Sequence, residues 1–349
     1  MSADRVFLTG ATGFVGSHVL RELVAAGYEV VALRRASTGS AVLRQAQHDT
    51  GAQRDVPAQR DAIGQREAVT WIEGDLENVG AFASALRGCR YVVHCAALYS
   101  FAPADRGRMH RVNVVGTASL SEAARVAGVE RFVHTSSSAT LGASHDGTPL
   151  DETHFAHDDG ASGYHHSKVE QERAAFAGRV PVIALLPTAP VGPGDVKPTP
   201  TGQMILDFAR GKMFSKPPRG GLNLVPVEDV ARAHVTALTH GRTGERYILG
   251  GENLTLDRVW ELLAEVTGKP MPSFRAPHAL AMAIAYADEA RCRIIPDSTP
   301  FVPLEGVRMS VETMFADSSK ARTELNFTPG PVRAALERSV QWFRTNGYA

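Results

Sequence analysis

The stretch RVFLTGATGFVGSHVLRELVAAG, residues 5–27, limits what this chain can fold into more than any other. A short apolar run passes through a turn containing Gly10, Gly13 and Gly16 into an amphipathic helical pattern closed by Gly27. Glycines between a strand and a helix allow the tight turn and close backbone approach that set a pyrophosphate over the helix N-terminus. The spacing is G-x-x-G-x-x-G, a variant of the dinucleotide fingerprint, and Gly10, Thr12, Gly13, Phe14, Val15 and Gly16 become candidate cofactor contacts.

The next 160 residues repeat the alternation. YEVVALRR, AVTWIEGDL, RYVVHCAA, RFVHTSSS and VPVIALLP read as further strands, and AFASALRG, HRVNVVGTASLSEAARVAG and the segment from Tyr164 as helices. Strands alternating with helices imply an α/β fold: a Rossmann-type, doubly wound parallel sheet with its ligand crevice along the strand carboxyl ends. The expected dinucleotide-binding domain covers residues 1–187. A smaller C-terminal α/β substrate lobe takes 188–221 and 251–349, and 222–250 return to the first domain. Residues 36–67, rich in Gln, Arg, Asp and Ala, read as a mobile insertion. HALAMAIAYADEA, near residue 280, is apolar on most sides and reads as a packed core helix.

Composition narrows the function classes. With 37 basic and 37 acidic side chains the formal charge is zero, which offers no electrostatic footprint for nucleic acid or an anionic membrane. No run approaches the roughly 20 apolar residues of a spanning helix, and no signal-peptide pattern opens the chain. Cys89, Cys95 and Cys292 lack C-x-x-C spacing, so neither a disulfide framework nor a metal site is expected, and the cytoplasm is the expected compartment.

The second strand ends in Leu33-Arg34-Arg35 rather than in an acidic residue. A carboxylate there would repel a 2′-phosphate, whereas a guanidinium engages one in a bidentate contact worth roughly 1.5–3 kcal/mol. Arg34, with Arg35 behind it, points to NADP, with NAD the second choice. Asp75 and Leu76 suit the adenine edge, Ala96 and Ala97 are small enough for close cofactor passage, and Pro187, closing the last strand, is a further candidate cofactor contact.

Tyr164 and Lys168 stand four residues apart, on one face of a helix. A phenol with a pKa of about 10 exchanges its proton poorly near neutrality, and a neighbouring ammonium stabilises the phenolate. Tyr164 then suits a general acid for carbonyl reduction or a general base for alcohol oxidation. One hydroxyl of Ser136, Ser137 and Ser138, at the end of the fifth strand, can polarise the reacting oxygen. His165 and His166 diverge on the helix, His134 reads as packed, and Asn113 as structural with a role open to it in a proton relay.

Together TGATGFVG, HCAA, VNVVGT, TSSSAT, YHHSK and LNLVPVEDVARAH resemble the extended short-chain dehydrogenase/reductases (the NAD-dependent epimerase/dehydratase family) over almost the entire chain, the insertion excepted. GERYILGGENLT and GDVKPTPTGQMILDFARGKM are most similar to the branch containing dihydroflavonol 4-reductase-like proteins, including those labelled hopanoid-associated sugar epimerase. The resemblance implies catalytic roles for Ser137, Tyr164 and Lys168, cofactor contacts for the last two, and a homodimer through the helices of Asn113 and Tyr164. It also implies one of two chemistries. A reductase or dehydrogenase exchanges its cofactor at every turnover, and a nucleotide-sugar epimerase retains NAD. Arg34, and the glycine and leucine of GGLNLVPVEDVA where sugar-nucleotide enzymes often carry an arginine, favour an NADP-dependent reductase acting on a ketone, aldehyde or alcohol of a partly hydrophobic small molecule, while Lys197, Arg210, Lys212 and Lys216 leave phosphate contacts of an epimerase open. A non-catalytic NADP sensor is the third class, and the intact Ser-Tyr-Lys set argues against it.

Overall fold

The computed structural model describes residues 3–35, 68–100, 103–142, 144, 146–156, 164–213, 215–217, 219–295, 304, 307 and 310–349. The 36–67 insertion lies outside the described residues. β1 (Arg5–Thr9), β2 (Glu29–Arg34), β3 (Val69–Glu73), β4 (Tyr91–His94), β5 (Arg131–Thr135), β6 (Val182–Pro187) and β9 (Arg246–Leu249) form a seven-stranded parallel sheet. Its order is β3-β2-β1-β4-β5-β6-β9, the doubly wound arrangement expected.

Side-chain alternation along β1 shows how the layers are built. Val6 and Leu8 face α1 (Phe14–Ala25) and α5 (Val227–Thr236), with Val19, Leu23 and Val230 in the same cluster. Phe7 faces the other way, into a cluster with Phe132, Leu120 and Ala124. That second layer consists of α2 (residues 106–126) and α3 (Tyr164–Ala177). α2 contains a π-helical turn, His110–Val115, and AFASALRG forms a 3₁₀ turn rather than an α-helix.

A second sheet pairs β8 (Gly221–Pro226) antiparallel with β10 (Glu252–Thr255), and parallel with β7 (Ala189–Val191) and β11 (Thr313–Met314). α4 (Pro200–Ala209), α6 (Leu256–Thr267) and α9 (Val332–Thr345) share a core of Phe208, Trp260, Leu263, Leu336 and Phe343 beside it. Residues 222–250 divide between the two bodies: β8 belongs to the small sheet, α5 packs on α1, and β9 closes the large one. α8 (Ser319–Glu324) rests near β9.

α7 (His278–Ile294) departs from expectation. The helix forms, but Leu280 and Ile284 remain 52% and 49% exposed. Its inward side carries Ala285 and the buried Asp288, so the apolar stripe faces outward and the helix is not a core element.

Gly10 ties the nucleotide-type turn to the sheet. Its φ is +74°, and a Cβ there would lie 2.7 Å from the backbone nitrogen of Ala96. Gly10→Ala combines left-handed strain with a backbone clash and should cost about 1–3 kcal/mol. Urea unfolding would measure this, and an unchanged midpoint would mean that β1 and β4 can separate at no cost.

Candidate active site

The residues singled out in the sequence gather at or just beyond the carboxyl ends of β1 to β6 and at the N-termini of α1 and α3. Gly13 caps α1 without a side-chain hydrogen bond, and Ser17 is the first residue to bond back, its N–H donating to the Gly13 carbonyl. The N–H groups of Phe14, Val15 and Gly16 therefore have no intrahelical acceptor. A side chain at Gly16 would strike the Gly10 carbonyl. Bare backbone, unmatched donors and a positive helix end fit a dinucleotide pyrophosphate. Thr12 is exposed on the same turn.

Arg34 ends β2, where its guanidinium donates to Glu73 at 3.2 Å, and Arg35 is exposed beside it. The Arg34–Glu73 pair is about half exposed on both sides, the class of contact worth 0.2–1 kcal/mol, so a phosphate can displace it. Asp75 accepts the Glu77 N–H at 3.0 Å and caps the next turn. The Leu76 side chain belongs to the core, against Gly116, and offers little to a ligand. Ala96 donates its N–H to Thr9 Oγ1, Ala97 is exposed, and Pro187 is buried at the end of β6.

The three serines differ. Ser136 is buried and donates to Glu172. Ser137, in extended backbone, accepts the Ala139 N–H at 3.1 Å and keeps its hydroxyl proton for another acceptor. Ser138 begins a 3₁₀ turn. Tyr164 is the first residue of α3, with Lys168 one turn on.

Lys168 is 2% exposed. Its ammonium donates to the Thr135 carbonyl at 3.1 Å and to Gln171 Oε1 at 2.7 Å, which leaves one of its three protons uncommitted. Burial pulls its pKa down to about 8, against the opposing influence of Glu172 and Cys95. Gln171 is held in turn, its amide donating to Thr117 Oγ1 at 3.2 Å and to the Ala96 carbonyl at 3.4 Å. Thr117 lies 2.8 Å from His94 Nε2, and His94 Nδ1 lies 2.7 Å from Thr9 Oγ1. A buried polar chain thus runs from Lys168 to the last residue of β1.

Glu172, fully buried, sits one further turn along the same face of α3. It accepts from Ser136 and Thr140, and its Oε1 lies 2.7 Å from Arg246 Nε as an ion pair, off the line of a hydrogen bond. Arg246 also donates to the carbonyls of Glu152 and His154, so α3 is locked to β9 and to the segment before it. The sequence reading missed Gln171, Glu172 and Arg246. The spacing of Tyr164, Lys168 and Glu172 at four and eight residues was the available signal for one of them.

Asn113 is buried and structural: it accepts the Leu98 N–H at 2.7 Å and donates to the Leu98 carbonyl and Ser167 Oγ. His166 pairs with Glu170 at 3.3 Å, while His165 is engaged by the Ala139 backbone. His134 is buried against the His94 ring, and no group of three metal-binding side chains occurs among the described residues.

Burial holds His94 down to about 3 and His234 to about 4, so both are neutral in the fold. The unfolded chain takes up protons below about pH 6.5 and the folded one does not until far lower, so stability falls as pH drops through that window. Each histidine contributes a slope of about 1.4 kcal/mol per pH unit. Calorimetry from pH 7 to 5 should show a falling Tm, with a shallower slope for His234→Gln; equal slopes would remove that histidine from the acid response.

Comparison with known proteins is consistent with this architecture. The sequence profile of the NAD dependent epimerase/dehydratase family matches residues 6–250. A Synechocystis sp. protein named "Putative dihydroflavonol 4-reductase" is 38% identical, over 99% of this chain and 96% of its own. The sterol demethylase protein B of Methylococcus capsulatus is 33% identical over 97% and 98%. Among solved structures, that of gox2253 is 36% identical, with a TM-score of 0.80 and 99% of both chains covered. A nucleoside-diphosphate-sugar epimerase from Pseudomonas aeruginosa, PA4631, superimposes with a TM-score of 0.74 at 26% identity over 99% of both chains. With this family profile across the whole nucleotide-binding sheet and full-length relatives above 30% identity, the chain belongs to the NAD-dependent epimerase/dehydratase family, the extended short-chain dehydrogenase/reductases, and is an NAD(P)-dependent enzyme.

Proposed function

We propose that the protein is an NADP-dependent reductase, or in reverse a dehydrogenase, acting on a ketone or aldehyde of a partly hydrophobic small molecule. The observation that carries the proton chemistry at the carbonyl is the buried Lys168, two of its protons fixed and its pKa near 8, one helical turn from Tyr164. A nicotinamide dinucleotide, when bound, supplies or accepts the hydride. Tyr164 donates the proton to the carbonyl oxygen, and the Lys168 ammonium favours the phenolate that remains. Ser137, whose hydroxyl proton is uncommitted, donates a hydrogen bond to the same oxygen; Ser136 is spent on Glu172. NADP over NAD rests on Arg34, whose exposed pair with Glu73 is a weak competitor for a phosphate. The relatives named for reductase chemistry support the class. They include the Synechocystis protein and a quinoline-oxide ketoreductase of Stigmatella aurantiaca that is 30% identical over 93% of this chain. A homodimer through α2 and α3 is part of the proposal.

The likeness to the Pseudomonas epimerase favours a second reading, nucleotide-sugar epimerisation on retained NAD. Denaturing the purified protein and identifying any released dinucleotide separates the two: stoichiometric NAD would replace the reductase reading.

Two substitutions test the assignment. Tyr164→Phe should leave NADPH binding nearly intact while lowering carbonyl turnover by about 10²–10⁴-fold; unchanged turnover would remove Tyr164 from the chemistry. Arg34→Asp should reverse the NADPH-over-NADH preference in a binding titration. If the preference persists, the phosphate contact lies elsewhere.

A further inference from the structure

α7 is apolar on most sides, and its outer side leaves an apolar strip uncovered at the surface of the protein. At 3.6 residues per turn, Leu280, Ala283, Ile284, Ala287, Ala290 and Ile294 fall on one side of it, and all six are exposed, Ile294 to 80%. The opposite side holds Ala285 and Asp288, both buried, with Ala281, Met282, Glu289 and Cys292 part-buried. Arg291, the charged residue within the apolar arc, folds back onto Asp288 at 2.8 Å. Arg293, at the edge, reaches Glu289 at 2.8 Å. The charges are thus satisfied among themselves and an apolar strip faces out.

A basic group adjoins the start of this strip. The Lys216 N–H donates to the carbonyl of Phe274, itself 56% exposed, and Arg275 and Ala276 bond to Pro217 and Ser215. Lys212, Lys216 and Arg219 on that loop pair with no carboxylate among the described residues.

The strip is about 25 Å long and 10 Å wide, well short of the roughly 800 Å² per partner that a stable dimer buries. No helix among the described residues is long and apolar enough to cross a membrane. An apolar helical face beside unpaired cations matches instead the chemistry of a bilayer interface, acyl chains beneath anionic headgroups. We propose that α7, with Phe274 and the basic residues Lys212, Lys216 and Arg219, docks the protein on an anionic lipid surface with the helix lying in the interfacial plane. This inference does not depend on the reductase reading, because it concerns where the enzyme sits and not what it converts.

Flotation of the full chain with vesicles tests it, using phosphatidylcholine alone and phosphatidylcholine containing phosphatidylglycerol. The intact protein should float with the phosphatidylglycerol vesicles and less with phosphatidylcholine alone. The double variant L280E/I284E should partition at least about tenfold more weakly. K212E/R219E should erase the difference between the two lipids, and both variants should keep the native circular dichroism spectrum and melting temperature. Should the double variant misfold, Ala283→Glu places one charge at an exposed position and should weaken flotation in the same direction. Flotation with neither vesicle, or equal flotation of the Glu variants, would overturn the proposal. So would a concentration-dependent dimer abolished by L280E/I284E, which would identify a second copy of the chain as the occupant. Equal binding to both lipids by the intact protein would remove the basic residues from it.

Discussion

Lys168 carries an ammonium group into an interior that would reject it if its protons were left unmatched. The price is met by two acceptors: the carbonyl at the end of β5 and the amide oxygen of Gln171. Gln171 stays in place because Thr117 of α2 and the Ala96 carbonyl take its own protons, and Thr117 in turn contacts His94 and, through it, Thr9. Strands β1, β4 and β5 and helices α2 and α3 are therefore joined at the level of one buried cation. The end of β1, where the glycine turn begins, and the first turns of α3 are thus tied to one network.

Glu172 performs the complementary task one turn further along α3. A carboxylate with no solvent exposure is tolerated because Ser136, Thr140 and Arg246 surround it. Removing one partner of such a buried pair is far more damaging than replacing both, so Glu172 and Arg246 act as a unit that fixes α3 against β9. Ser136 is absorbed into this unit, and Ser137, the next residue, retains a free hydroxyl proton at the crevice. The contrast between two adjacent serines comes from strand alternation together with the position of one buried acid.

The two chemistries of the family make different demands on this framework. Both need a proton-transferring phenol beside an ammonium, which is why full-length likeness extends to proteins named as reductases and as epimerases. They diverge in how tightly the dinucleotide is held and in what the smaller lobe admits. The end of β2 presents an exposed Arg34 that shares a half-exposed pair with Glu73.

Local sequence determined the parallel sheet, the glycine turn and the placing of Tyr164 and Lys168 one turn apart on a helix, because each is written in short-range periodicity: two in strands, 3.6 in helices, and glycine where φ must be positive. Arg34 at a strand end was legible for the same reason. Gln171 as the acceptor for Lys168, Arg246 as the counter-ion of Glu172 and the burial of Leu76 were not legible. Their partners lie on other elements, and only the closed sheet brings Arg246 of β9 to α3. The orientation of α7 escaped the sequence for a related reason. Its residues specify a helix apolar on most sides, and which of those sides is covered depends on Ala285 and Asp288 finding buried places against the rest of the chain, which was decided by tertiary packing.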